Sequence, residues 1–249
     1  TNGRAGFYLY GQSRHRSAYD RDGDGYTDLP TLDNKTLGLS SFLRLTDYSK
    51  LTLKFHGLKE FRRGGNNLFL PPHEANIAEQ IEHTINGGGL SYDLFNPNGK
   101  GHFSAYVSFQ NVDRKSYYGG LGELASAAEG QKALNEAYKL GLSLDMSEDD
   151  AAKLPSDQQQ ILANAQAYDK AQRAYNVTHN INYIAGAQYV HNFDRLLFMP
   201  ADLTVGAEYS FDRIKDRSLG YNSLLEQRVR ISSAFVQNEW KNAHWGLLV

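Results

Sequence analysis

From Ala201 the chain reads ADLTVGAEYSFD, and this alternation constrains the fold more than any other feature of the sequence. Ala201, Leu203, Val205, Ala207, Tyr209 and Phe211 fall on one side, and Asp202, Thr204, Gly206, Glu208, Ser210 and Asp212 on the other. Successive side chains of a strand point to opposite faces, so this is one strand with an apolar face and a strongly polar one. A helix needs apolar spacing near 3.6 residues, which is absent here. The same pattern holds from Phe103 to Phe109 (Phe103, Ala105, Val107, Phe109) and from Val177 (Val177, Ile181, Tyr183, Ala185, Ala187, Tyr189). Less regular alternation predicts further strands over Ala5–Arg14, Lys35–Leu45, Leu51–Arg62, Ile77–Leu94 and Gln227–Trp240, and a last one starting near His244. About nine strands result.

The connections carry as much information as the strands. Long gaps (Arg14 to Lys35, Arg62 to Ile77, Arg114 to Asn176, Arg213 to Gln227) alternate with short ones (Leu45 to Leu51, Leu94 to Gly101, His191 to Ala201, Trp240 to His244). In an up-and-down antiparallel meander, alternate connections share an end, so the long loops gather at one end and the tight turns at the other. Soluble sandwiches usually mix loop lengths, whereas outer-membrane barrels have short turns on one side and long loops on the other. The strands also reach the ~9–11 residues needed to cross a bilayer at a steep tilt.

Composition agrees with such a two-sided sheet. The chain carries 16 Tyr, 12 Phe and 2 Trp in 249 residues, yet its mean hydropathy is −0.55. Aromatic residues near strand ends (Tyr8, Tyr10, Tyr117, Tyr118, Tyr209, Phe211, Trp240) resemble interfacial girdles. No stretch approaches the ~18 consecutive apolar residues of a transmembrane helix. The net charge of −2 excludes affinity built on neutralising nucleic-acid phosphates. With no Cys, disulfide scaffolds and thiolate metal sites are excluded. The first residues, TNGRAGFYLYGQ, lack the basic and apolar regions of a signal peptide. The predicted fold is therefore all-β: residues 1–249 form part of an antiparallel up-and-down transmembrane β-barrel. An odd strand count and strands at both ends suggest an interior piece of a larger barrel. A soluble all-β domain with one buried face is the competing class.

The longest connection, 117–175, has helical content of its own. LGELASAAEGQKALNEAYKLG is rich in Ala, Leu, Glu and Lys and stops at Gly141. Ser147-Glu-Asp-Asp150 and Ser156-Asp-Gln-Gln159 resemble capping boxes, the second opening a helix to about Ala174.

One motif carries specific chemistry. Asp20-Arg-Asp22-Gly-Asp24-Gly25-Tyr26-Thr-Asp28 places carboxylates at positions 1, 3, 5 and 9 of an EF-hand-type loop, with Gly at 6. Ca²⁺ takes six to eight hard oxygens, and alternate residues of a tight loop converge on one centre; Tyr26 would offer its carbonyl at position 7. Thr31 stands where the bidentate Glu belongs, so Asp33 or another loop would complete the shell. The bland alternative is a solvated Asp/Gly turn. Calcium here would be structural, pinning a loop. In the second long loop, Arg62, Arg63, Asn66 and Asn67 could bind an anionic or amide-bearing ligand and His73 could ligate a haem or cobalt centre, although the same segment also serves as turn chemistry on a rim. Eight scattered His lack zinc spacing, and no nucleophile elbow, phosphate loop or paired-carboxylate constellation stands out, so no enzyme is expected.

YDRDGDGYTDLP, EFRRGGNNLFLPPHEANIAEQ and AFVQNEWKNAHWGLLV resemble the barrel of TonB-dependent outer-membrane receptors, closest to the cobalamin, siderophore and colicin-receptor branch. The resemblance covers most of the chain outside 121–174. It implies a barrel of about 22 strands, a plug domain and TonB box not recognisable in this segment, and residence in the outer membrane of a Gram-negative bacterium. It further implies Asp20, Asp22, Asp24 and Asp28 ordering a loop through Ca²⁺, and active uptake of a corrinoid, haem or iron chelate. The implied partners are TonB, the extracellular nutrient, a surface lipoprotein and membrane lipid, with no nucleic acid. A passive porin, a surface adhesin, and a secreted calcium-stabilised β-domain binding glycans are the alternatives.

Overall fold

The computed structural model describes residues 3–219 and 223–249. The expected strands are all present: β1 (Ala5–Arg16), β2 (Thr31–Thr46), β3 (Ser49–Gly65), β4 (Ala78–Phe95), β5 (Gly101–Gly119), β6 (Tyr175–Leu196), β7 (Met199–Ser218), β8 (Ser223–Lys241) and β9 (Gly246–Leu248). They form one open antiparallel sheet in the order β1 to β9, each strand beside its neighbour in sequence.

Register turns the alternation of single strands into rows that cross the sheet. Directly paired residues of antiparallel strands share a face. On the apolar face, one row runs Leu9, Leu39, Phe55, Gly88, Phe109, Tyr183, Phe211. The next runs Phe7, Ser41, Leu53, Leu90, Val107, Ala185, Tyr209, and the one after it Ala5, Leu43, Leu51, Tyr92, Ala105, Ala187, Ala207, Ala234. The opposite face carries Lys54, His56, Gln110, Asn182, Glu208 and Asp212. Neither face is covered: Phe7 is 80% exposed, Val236 72% and Val107 48%.

Three expectations are corrected. The gap from Arg213 to Gln227 is not a long loop, because β7 and β8 remain paired as far as Ser218 and Ser223 and leave only 219–222 between them, of which 220–222 lie outside the described residues. The helical connection begins after Gly119 and ends before Tyr175, so Tyr117, Tyr118 and Tyr175 belong to strands rather than to a 117–175 loop. Of the girdle residues, Tyr209, Phe211 and Trp240 lie on the apolar face, but Tyr8, Tyr10 and Tyr118 lie on the polar one, and Tyr117 is 1% exposed beneath a helix.

The buried core sits at the long-loop end. Helices α1 (Ala127–Lys139) and α3 (Ser156–Arg173) pack through Ala133, Ala137 and Ala165, small residues that allow close approach, and through the buried Leu162. The short α2 (Glu148–Ala151) starts at Ser147, whose hydroxyl accepts from the Asp150 amide. Ser156 does not cap α3: Pro155 holds the cap position without a side-chain bond, and Gln159 instead donates to the carbonyls of Ala152 and Leu154. A reciprocal box does open α1, where Ser126 accepts from the Glu129 amide and Glu129 accepts from the Ala125 amide.

Rings lie flat over glycines on the polar face. A Cβ added at Gly38 would meet the Tyr10 ring at 2.1 Å, one at Gly6 the Phe42 ring at 2.6 Å, and one at Gly206 the Phe235 ring at 2.5 Å. His56 over Gly87 (2.7 Å) and Tyr106 over Gly186 (2.8 Å) repeat the arrangement.

Candidate functional site

The Asp-rich segment bridges β1 and β2. Its neck is closed by Tyr19 and Leu29, each amide donating to the other's carbonyl at 3.0 and 3.1 Å. Within it, Asp20 accepts from the amides of Gly23 (2.7 Å) and Gly25 (2.9 Å), and Gly25 takes φ 88°, a conformation that favours glycine. The hydrogen bond from the Gly25 amide, opposed by partial desolvation and helped by Gly23, holds the Asp20 carboxyl below the ordinary aspartate range. Asp28 accepts from the Arg21 amide at 2.7 Å.

This folding brings one oxygen from each of Asp20, Asp22 and Asp28 within 4.8 Å of one another. Among the described residues it is the one such grouping of His and carboxylate ligands. Three carboxylates so close repel unless a cation sits between them, and an all-oxygen donor set suits Ca²⁺ or Mg²⁺ rather than zinc or copper. Asp24 is not in the group; its carboxylate accepts from the Tyr26 amide at 2.8 Å and shapes the turn. Asp33 does not complete the shell either, since it lies in β2 and pairs with His15 at 2.7 Å.

The loop is tied to its neighbours by contacts that no local pattern reveals. The Thr27 amide donates to the Gly65 carbonyl (3.1 Å), and the Gly65 amide donates to the Thr27 hydroxyl (2.9 Å). Beyond Gly65, Asn76 acts as a hub. Its carbonyl oxygen accepts from Asn66 (3.0 Å) and Asn67 (3.4 Å), and its amide donates to the carbonyls of Gly122 and Leu124 (3.1 Å each). The three connections 17–30, 66–77 and 120–174 thus form one hydrogen-bonded cluster.

The expected ligand-binding residues lie in this cluster, and most are committed to it. Arg63 is 4% exposed and donates to the Gly64 carbonyl at 2.8 Å. Asn66 also accepts from the Ile77 amide at 3.1 Å, and His73 shares a hydrogen bond with the Tyr175 hydroxyl at 2.8 Å. Arg62 projects from the other face of β3, half-exposed and paired with Glu60 at 2.8 Å. Two concavities are found among the described residues, and only the smaller touches this set, through Asn67. One, of about 280 Å³, lies between 66–77 and the start of α1, lined by Asn67, Glu74, Asn76 and Ser126. The other, of about 460 Å³, opens where Gly88 and Gly89 leave the sheet bare, beside Lys54, His56, Gln110 and Asn182.

No family model and no curated protein matches the chain. Its sites rest on this geometry alone.

Proposed function

We propose that the chain is part of the barrel of a TonB-dependent type of outer-membrane receptor, which takes up a scarce bulky nutrient such as a corrinoid or iron chelate. The observation that carries the reading is the uncovered apolar face. One of its rows runs from β1 to β8 and two more cross from β1 to β7, and Phe7, Val107 and Val236 on this face lie open, whereas a soluble monomer seldom exposes a large contiguous apolar patch. Tyr183 and Phe193 bound this face on β6, roughly 33 Å apart along the strand and about 25 Å apart across a bilayer at a ~40° tilt, which fits the lipid-facing band of an outer-membrane barrel. The polar face suits a wetted or plugged lumen.

Asp20, Asp22 and Asp28 hold Ca²⁺ at the long-loop end, with Asp24 and Tyr26 shaping the turn. Through Thr27, Gly65 and Asn76 the ion stiffens all three connections, so a nutrient captured there orders less chain on binding. The chain performs no covalent chemistry. The test is nutrient uptake by cells expressing the full-length protein, with and without TonB and with calcium chelated. Uptake that needs both supports the reading. Uptake indifferent to TonB points to a passive pore, and a protein that stays in the aqueous phase of a detergent partition overturns the membrane assignment.

A further inference from the structure

Charge is segregated by face along β7. Asp202, Glu208, Asp212 and Asp216 take the polar face, whereas Arg213, Lys215 and Arg217 continue the apolar face beyond Phe211. On the same face β8 sets Arg230 opposite Phe211 and Arg228 opposite Arg213. Five cations therefore share a patch with one carboxylate, Glu226, which is already contacted by Arg228 (2.6 Å), Arg213 (2.9 Å) and Lys215 (3.4 Å). The acids of β7 offer no relief from across the sheet, since Asp212 accepts from Asn180 and Asn182, and Asp216 from Asn176 and Thr178. On the β6 side the same rows carry Tyr183, Ile181, His179 and Val177, and His179 is taken by Asp113 at 2.5 Å. Among the described residues Arg217 and Arg230 have no ion-pair partner; the Arg230 guanidinium lies over the Phe211 ring at 5.8 Å.

We propose that this patch binds the phosphate of an anionic lipid headgroup in the leaflet at the long-loop end. The inference rests on the reading that the apolar face meets lipid. The patch begins where the apolar rows stop, which is headgroup depth, and it carries a surplus of guanidinium forks, whose planar donors match phosphate oxygens. Directly below it Ser232, Ala207 and Ala234 are small and leave room beside Tyr209 for acyl chains. Charge complementarity thus selects a phosphorylated lipid over a zwitterionic one.

The test places the full chain in vesicles of phosphatidylcholine, alone or doped with phosphatidic acid, and measures the lipid retained on the protein by native mass spectrometry. The wild-type chain should retain phosphatidic acid selectively. Arg217→Gln combined with Arg230→Gln leaves the Glu226 cluster intact and should lower that retention roughly fivefold per charge, while Lys54→Gln on the polar face should not change it. Equal retention of both lipids, or competition by inorganic phosphate at the same concentration as lipid, overturns the headgroup site. A chain that fails to insert even into phosphatidylcholine overturns the lipid-facing reading and this inference with it; one that inserts without preference overturns the inference alone.

Discussion

Asp20 and Asp24 sit in one short loop with opposite duties. Asp20 is wrapped by two amides and joins the triad, whereas Asp24 spends its carboxylate on the Tyr26 amide. On the proposed calcium site, Asp20→Asn should therefore abolish the binding that calorimetry reads, while Asp24→Asn should change affinity by no more than about threefold. The pH dependence follows from the same bonds. Because the Asp20 carboxyl is held below its unfolded value, its contribution to loop order is present above that value and is lost as pH falls through the lowered one. The Gly25 amide resonance should hold its calcium-free position at pH values where exposed aspartates have begun to protonate, and move only at more acid pH. The aspartate spacing was legible because it is a local property of one turn. The locking of Asn66, Asn67 and His73 was not, because Asn76, itself held by the Gly122 carbonyl, and Tyr175 reach them only after the sheet has formed.

At the scale of elements, alternation located each strand but shortened most of them. Beyond the apolar rows the two faces differ in charge rather than in hydropathy, as at Arg213, Lys215 and Arg217 against Asp212 and Asp216, so the pattern that marks a strand fades while the pairing continues. This is why the β7–β8 connection looked long. The Ser126–Glu129 box is masked by the alanine-rich run around it, although its spacing is that of a capping box. Ser126→Ala should cost the helical loop about 1 kcal/mol, read as an earlier loss of helical circular dichroism on heating. Gly120 has φ 144°, and a Cβ there would lie 2.1 Å from the Asn76 carbonyl oxygen. Gly120→Ala should undock the loop cluster, making 66–77 and 120–174 protease-sensitive while the sheet persists.

For the whole molecule the two faces make opposite demands. On the proposal that the apolar face meets lipid, Val107→Arg should cost ~2–4 kcal/mol in the equilibrium refolding of the chain into vesicles, whereas Ser108→Arg on the polar face should cost far less. The rings resting on glycines have a further consequence for assembly. Pairs β2–β3, β4–β5 and β6–β7 are joined by tight turns, which fix how each strand slides against the next. Pairs β1–β2, β3–β4 and β5–β6 are joined across 17–30, 66–77 and 120–174, connections too long to dictate alignment, and the ring-on-glycine contacts fall on these pairs and on β7–β8. A slip of two residues keeps every side chain on its proper face, so hydropathy cannot detect it. It would, however, drive Tyr10 into Thr36 or Ser40 instead of the bare backbone of Gly38. The glycines thus act as keyholes that accept one alignment, and on β1–β2, β3–β4 and β5–β6 they proofread strand pairs that the chain itself leaves loosely tethered.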